Sequence, residues 1–200
     1  MRIMLVLASR SPRRQELLSR AGIPFVLRPT EIPEEPYDGE EAVEHARRLA
    51  RQKAEAVPCS PDEIILGADT VVVVGEQILG KPQDAADAGR MLRALSGRTH
   101  EVVTGICLRT SRRLIVDSET TRVRFVPLSE DEIASYVASG EPMDKAGAYA
   151  IQGLASKFID RIEGCYFNVV GLPVALVWKR LKEMQAGGAA EAQAIMGPSV

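Results

Sequence analysis

Ile64-Ile65-Leu66-Gly67-Ala68-Asp69-Thr70-Val71-Val72-Val73-Val74 is a continuous apolar run broken only at Asp69 and Thr70. It reads as a strand that is apolar except at those two residues. Gly75-Glu76 then makes a hairpin turn into Gln77 to Leu79. Aspartate is poorly suited to a strand interior, and a buried carboxylate without a partner is neutralised or expelled. Asp69 therefore calls for a cation, a metal or water. A two-residue turn sets Lys81 opposite Thr70, and a register shifted by one sets it opposite Asp69. The sequence leaves both registers open, as well as a structural reading of an aspartate at a strand end.

Working toward the N-terminus, Ile3 to Ala8 reads as a short strand that turns through Ser9-Arg10-Ser11 into a helix opened by Pro12, with Leu17, Leu18 and Ala21 at helical spacing. A second strand is expected at Phe25 to Leu27, a loop at Pro29 to Glu41, and a helix from Glu41 to Val57. Lys53 lies on that helix's apolar stripe with Leu49, Ala50 and Val57, where a snorkelling edge lysine is the ordinary explanation.

Working toward the C-terminus, a helix carries Ala85 to Leu95, and two longer strands cover Glu101 to Arg109 and Leu114 to Val126. In the second, Thr121, Val123 and Phe125 alternate with Arg122 and Arg124, so one face is wet. Ser129 with Glu132 is a capping-box signature for a helix to Ser139. A glycine-containing loop spans Asp144 to Gly153, a strand lies near Phe158 to Ile162, and Gly171-Leu172-Pro173 opens a helix to about Gln185. Residues 1–185 read as one catalytic domain and 186–200 as a disordered tail. Hairpins mixed with crossover helices indicate an α/β fold with a mixed sheet.

The 200 residues carry 25 Lys+Arg against 27 Asp+Glu, a formal charge of −2, with an isoelectric point near 5.8. That balance gives no bulk attraction to nucleic acid or anionic lipid. No run approaches the roughly 20 apolar residues of a membrane span, and the start does not read as an export signal. Cys59, Cys107 and Cys165 lie far apart and suit a reducing, cytoplasmic setting. Two histidines, His45 and His100, are too few for a His-rich zinc site. His100, behind Gly97-Arg98-Thr99, is expected to be a solvated or capping group at a strand's start.

Ser9-Arg10-Ser11-Pro12-Arg13-Arg14 is the second informative stretch. Ser11 suits an N-cap and Pro12 the first helical position, which leaves Arg13 and Arg14 at the positive end of the helix dipole. Backbone N–H groups, two hydroxyls and two guanidinium forks at a strand-to-helix loop form a phosphate cradle, although two solvent-facing arginines are the plainer alternative. With Lys53, Lys81 and Asp69 these residues supply what polyphosphate hydrolysis needs: cations for the oxygens and a base for water. Gly75 to Lys81 also satisfies GxxxxGK, but Pro82 follows where a hydroxyl would meet Mg²⁺ and Gln77-Ile78-Leu79 is strand-like, so a phosphate loop is rejected. A phosphatase of the haloacid-dehalogenase type needs D-x-D, and Gly67 stands at its first position.

In order along the chain stand LASRSPRRQELL (Leu7 to Leu18), RLARQKA (Arg48 to Ala54), ILGADTVV (Ile65 to Val72), LGKP (Leu79 to Pro82), LSGRTHEVVTG (Leu95 to Gly105), EPMDKAGAYAIQG (Glu141 to Gly153) and YFNVVGLP (Tyr166 to Pro173). Together they resemble the Maf family of nucleoside triphosphate pyrophosphatases. The resemblance implies an elongated, strongly twisted mixed sheet with flanking helices, similar to inosine triphosphatase, and two lobes around a central cleft. It implies hydrolysis of a nucleoside triphosphate to the monophosphate and pyrophosphate with a divalent cation, Mg²⁺ or Mn²⁺. Asp69 matches the proton acceptor, Ser9, Arg13, Arg14, Lys53 and Lys81 the phosphate-side residues, and Glu34 an acidic residue of the same site. Metal ligation by Glu34 or Asp69 is chemically reasonable and otherwise unassigned.

Arg13, Thr70 and Gln152 match the branch directed at dTTP and UTP. A branch acting on 7-methyl-GTP carries Glu in place of Gln152, and a glutamine amide, unlike a carboxylate, both donates to and accepts from a pyrimidine edge. The resemblance also implies a housekeeping role on modified pyrimidine nucleotides and, more weakly, a link to septum formation or division arrest. The rival reading is a nucleotide-binding regulator with little catalysis. The partner expectations are the nucleotide, no nucleic acid, no membrane and, at most, a homodimer.

Overall fold

The structure, a computed structural model, describes the backbone of residues 3–196 and the side chains of residues 3–186. Seven strands form one mixed sheet: β1 (Met4–Leu7), β2 (Phe25–Leu27), β3 (Glu63–Val74), β4 (Gln77–Leu79), β5 (Thr99–Arg109), β6 (Leu114–Phe125) and β7 (Ile159–Glu163). Their order is β2-β1-β3-β5-β6-β7, with β4 added beside β3. Only β1 makes parallel pairs, with β2 and β3, and every other pairing is antiparallel. The helices are α1 (Pro12–Arg20), α2 (Ala42–Glu55), α3 (Ala85–Leu95), α4 (Glu130–Ala138), α5 (Tyr166–Val170) and α6 (Val174–Met196). Of the expected tail, α6 takes in the backbone to Met196, while 197–200 and the side chains from 187 onward lie outside the described residues.

β3 is the centre of the sheet because both of its faces are covered. Ile65 packs with Ala50 and Ala54 of α2 on one face, and Leu66, Ala68 and Val72 join the larger core under α3 and α6 on the other. The α2 side is unusually close. A Cβ on Gly67 would lie 2.1 Å from the carbonyl oxygen of Ala50, and one on Gly105 would lie 2.2 Å from that of Ala46. Ala46, Ala50 and Ala54, one turn apart, are the helix's matching small stripe. On the opposite face Met91, Leu92 and Leu95 of α3 are buried, each contributing about 1.5–3 kcal/mol by leaving water.

The ends of the elements follow local chemistry. Asp84 caps α3 by accepting from the Asp87 N–H at 2.8 Å, and Ser129 with Glu132 makes the full capping box of α4. Ser11 occupies the N-cap of α1, but its side chain makes no capping bond.

The β3–β4 pairs run from Val74–Gln77 to Val72–Leu79, a register that, continued past the end of β4, would set Lys81 opposite Thr70. One edge of β3 is interrupted. It pairs with β1 through Leu66 and with β4 from Val72, so residues 67–71 have no strand beside them there, while β5 pairs the other edge throughout.

The expectation for His100 is corrected. β5 begins at Thr99, so His100 already stands on the inward face with Val102, Ile106 and Leu108, and it is only 2% exposed. Its Nε2 lies 2.8 Å from the Tyr149 hydroxyl and its ring meets Phe125 edge-on. Burial pulls its pKa down to about 4.

Candidate active site

The open stretch of β3 edge faces a cleft of about 900 Å³. Strand β1 ends beside it, and the loop that follows brings Ser9, and the first turn of α1 brings Arg13 and Arg14, to its wall. Glu34 enters from the loop before α2, Lys53 from α2, Asp69 and Thr70 from β3, Lys81 from beyond β4, and Gln152 from the loop after α4. All nine residues singled out in the sequence line this one cleft.

Asp69 and Thr70 point to opposite faces of the sheet, as neighbours in a strand must. On the α2 face, Lys53 Nζ lies 2.6 Å from Asp69 Oδ1 and 2.6 Å from Glu34 Oε1. The close seat of α2 on Gly67 and Gly105 is what lets a helical lysine reach a strand carboxylate. Lys53 is not a snorkelling edge residue: it is buried at 8% exposure, as is Asp69 at 6%. The cation paired with Asp69 is therefore Lys53, and Lys81 is exposed, its register position being opposite Thr70. Partial burial acts to raise the Glu34 carboxyl, but the hydrogen bond and charge of Lys53, helped by Lys81 and Arg14, outweigh it and hold the group below its usual range.

On the other face, buried Arg14 is fixed by three bonds. Nε donates to the Gly171 carbonyl at 2.9 Å, and the two terminal nitrogens donate to Ser9 Oγ at 3.2 Å and Thr70 Oγ1 at 3.1 Å. The Thr70 hydroxyl also meets Thr104 Oγ1 at 2.9 Å and the Gly171 carbonyl at 3.3 Å. Burial lowers the Arg14 pKa; Asp69 and Glu34 counter this, while Arg13 adds to it. Arg14 has five N–H donors, so two remain for a ligand after these three bonds. A desolvated guanidinium with free donors and a second arginine beside it is a strong anion site.

At the rim, half-buried Arg13 reaches across to Asp144 Oδ2 at 3.1 Å, and Asp144 also holds Lys145 at 2.5 Å. The loop carrying Gln152 is tied to the Lys81 side by the Gly147 N–H donating to the Gly80 carbonyl at 3.0 Å, and to the core by Tyr149 on His100. Gln152 itself is exposed to the cleft. Sequence reasoning missed Asp144 and His45, which also line the cleft. Asp144 stands in a stretch that carries the family resemblance, yet no local signal ties it to Arg13, 131 residues away.

Among the described residues no helix is long and apolar enough to cross a membrane, no group of three or more His, Cys, Asp or Glu converges on a metal position, and all three cysteines are free. A family model described as Maf-like protein matches residues 4–184. A dTTP/UTP pyrophosphatase of Koribacter versatilis is 52% identical over 179 residues, which is 89% of this chain and 93% of that protein. A dTTP/UTP pyrophosphatase of Citrifermentans bemidjiense is 51% identical over 187 residues, 92% of this chain and 97% of that protein. Among solved structures, a nucleoside-triphosphatase/dITP/XTP pyrophosphatase from Mycobacterium abscessus matches with a TM-score of 0.41 and 18% identity, covering 63% of this chain and 76% of that chain.

Proposed function

Because the chain belongs to the Maf family, we propose that it hydrolyses dTTP and UTP to the nucleoside monophosphate and pyrophosphate. The observation that carries this reading is a buried carboxylate, Asp69, held at 2.6 Å by Lys53 inside a cleft that also presents Arg13, Arg14 and Lys81.

In this reading the cations bind the triphosphate and Asp69 acts on water. Lys53 holds one oxygen of Asp69, and the other has no partner among the described residues. That oxygen takes a proton from the water attacking the α-phosphorus. The new bond is water oxygen to α-phosphorus, the bond broken joins α-phosphorus to the bridging oxygen, and pyrophosphate leaves with the electron pair. Arg14, already oriented by Ser9, Thr70 and Gly171, loses little freedom when it grips a phosphate oxygen. Gln152 reads the pyrimidine edge by donating and accepting through one amide. Thr70, whose hydroxyl has three protein partners, serves by fixing Arg14.

A divalent cation fits the donor set. Glu34 Oε1 and Asp69 Oδ1 both lie 2.6 Å from the same lysine nitrogen, so they are no farther apart than twice that distance. Two carboxylates with room for water and phosphate suit Mg²⁺ or Mn²⁺, which commonly bind one or two protein carboxylates together with substrate phosphates. Glu34 and Asp69 are the residues that would hold it, and it would supply charge neutralisation for the departing pyrophosphate.

The test is incubation with UTP or dTTP and Mg²⁺, with products followed by ³¹P NMR. Pyrophosphate and the monophosphate in equal amounts are expected. Orthophosphate as the first product, or tight nucleotide binding without turnover, overturns the reading, the latter in favour of a regulator.

A further inference from the structure

The loop that delivers Glu34 has no regular secondary structure between residues 28 and 41, yet its far half is anchored through one side chain of α2. Arg48 engages all three of its nitrogens there. Nε donates to Glu40 Oε1 at 2.5 Å, one terminal nitrogen to Glu40 Oε2 at 2.7 Å and to the Glu35 carbonyl at 3.0 Å, and the other to Gln52 at 3.2 Å. The same guanidinium lies 3.9 Å over the ring of Tyr37. Glu40 also accepts from the Tyr37 N–H at 3.1 Å and lies 2.8 Å from His45 Nδ1. Hydrogen bonding to Arg48, reinforced by His45 and Tyr37, keeps the Glu40 carboxyl at about 2, so the clamp stays charged at neutral pH.

The carbonyl that Arg48 grips belongs to the residue next to Glu34, and Arg48 shares a helix with Lys53, the group that Glu34 reaches. One rigid helix thus sets both ends of the distance between loop and ammonium. We infer that Arg48 is a positioning residue that, through Glu40 and the Glu35 carbonyl, holds the Glu34 carboxylate at Lys53 in the working site. The inference rests on the hydrolytic reading above, and neither Arg48 nor Glu40 touches the reacting atoms.

The experiment compares Arg48→Ala, Arg48→Lys, Glu34→Gln and the Arg48→Ala/Glu34→Gln double variant. Arg51→Ala, which removes an exposed helix ion pair with Glu55, is the control. Without any nucleotide, amide hydrogen exchange across residues 34–41 should rise about tenfold or more in Arg48→Ala and stay unchanged in Arg51→Ala. In pyrophosphate release from UTP, Arg48→Ala should lower kcat by about 10- to 100-fold, the usual range for removing an orienting partner. Arg48→Lys should not restore it, because an ammonium cannot make the forked contact. In the Glu34→Gln background the same Arg48→Ala change should cost less than about twofold, since its effect passes through Glu34. Equal losses in both backgrounds, or unchanged exchange in the loop, overturn the inference. A wild-type protein that releases no pyrophosphate overturns the hydrolytic reading instead, and the exchange result then decides by itself whether Arg48 holds the loop.

Discussion

Replacing Asp69 by Asn and Lys53 by Met should separate turnover from folding, because the two partners of this ion pair are unequal. Lys53 has two carboxylates at 2.6 Å, Asp69 and Glu34, whereas Asp69 has Lys53 as its one ion-pair partner among the described residues. In Asp69→Asn the ammonium keeps Glu34 and can still donate to the amide oxygen, so the expected loss is about 1 kcal/mol, one hydrogen bond's worth. In Lys53→Met a carboxylate only 6% exposed is left without its cation, which costs about 3–5 kcal/mol. At about 2–4 °C per kcal/mol for a chain of this size, the midpoints should drop by a few degrees for Asp69→Asn and about 6–20 °C for Lys53→Met. Turnover in Asp69→Asn should not follow its stability: the variant loses the proposed proton acceptor and falls about 10²–10⁴-fold while the protein remains folded. Differential scanning fluorimetry and a coupled pyrophosphate assay with UTP and Mg²⁺ read both quantities. An Asp69→Asn protein retaining more than about a tenth of wild-type turnover, well above that range, refutes the role of Asp69. A Lys53→Met protein melting with wild type refutes the argument from unequal partners.

His100 should make the protein acid-sensitive. Its pKa is about 4 when folded and about 6.5 when unfolded, so the unfolded chain binds the proton first and stability falls as pH drops through that window, by up to about 3 kcal/mol. Urea titrations at pH 7 and pH 4.5 should show a smaller pH-dependent loss in His100→Gln than in wild type, and equal losses would exclude His100 as the cause. Gln152→Glu should cut UTP and dTTP turnover by about 10- to 100-fold through a mismatched polar contact of roughly 1–3 kcal/mol; unchanged selectivity among UTP, CTP and GTP would show that Gln152 does not read the base. Gly67→Ala should destabilise severely, by about 3 kcal/mol or more, because its Cβ would meet helix backbone at 2.1 Å, whereas Gly80→Ala, with nothing within 4 Å, should melt like wild type.

Features governed by near neighbours along the chain are legible in the sequence alone. The Ser129–Glu132 capping box, the Gly75-Glu76 turn and the wet alternation of Arg122 and Arg124 each depend on residues a few positions apart. The expectation for His100 fails for the converse reason, since its place is set by Tyr149 and Phe125, which lie far along the chain. The partner of Asp69 is legible by type but not by residue. Hairpin register brings Lys81 near Asp69 and Thr70 without choosing between them, while the pairing with Lys53 depends on how closely α2 can approach, and a sequence shows Gly67 and Gly105 without showing which surface they admit. The short helix α5, which leads into the Gly171 carbonyl that holds Arg14, carries no cap or apolar period long enough to announce it.

The placement of the site follows from the interruption in β3. In an unbroken sheet Asp69 and Thr70 would face separate compartments, each sealed from the other by neighbouring strands. Here β1 stops at Leu7 and β4 starts pairing at Val72, so along residues 67–71 one edge is open and both faces reach the same space. The α2 face brings Lys53 and Glu34 to Asp69, and the α1 face brings Ser9 and Arg14 to Thr70. On the proposed hydrolytic reading, a triphosphate lying across the gap is held from one face and attacked from the other, with neither group of residues having to fold around the substrate. Extended pairing on the β1 side would close that passage even if every side chain named above were retained. The two residues that look out of place in an apolar strand stand where the strand has lost its neighbour.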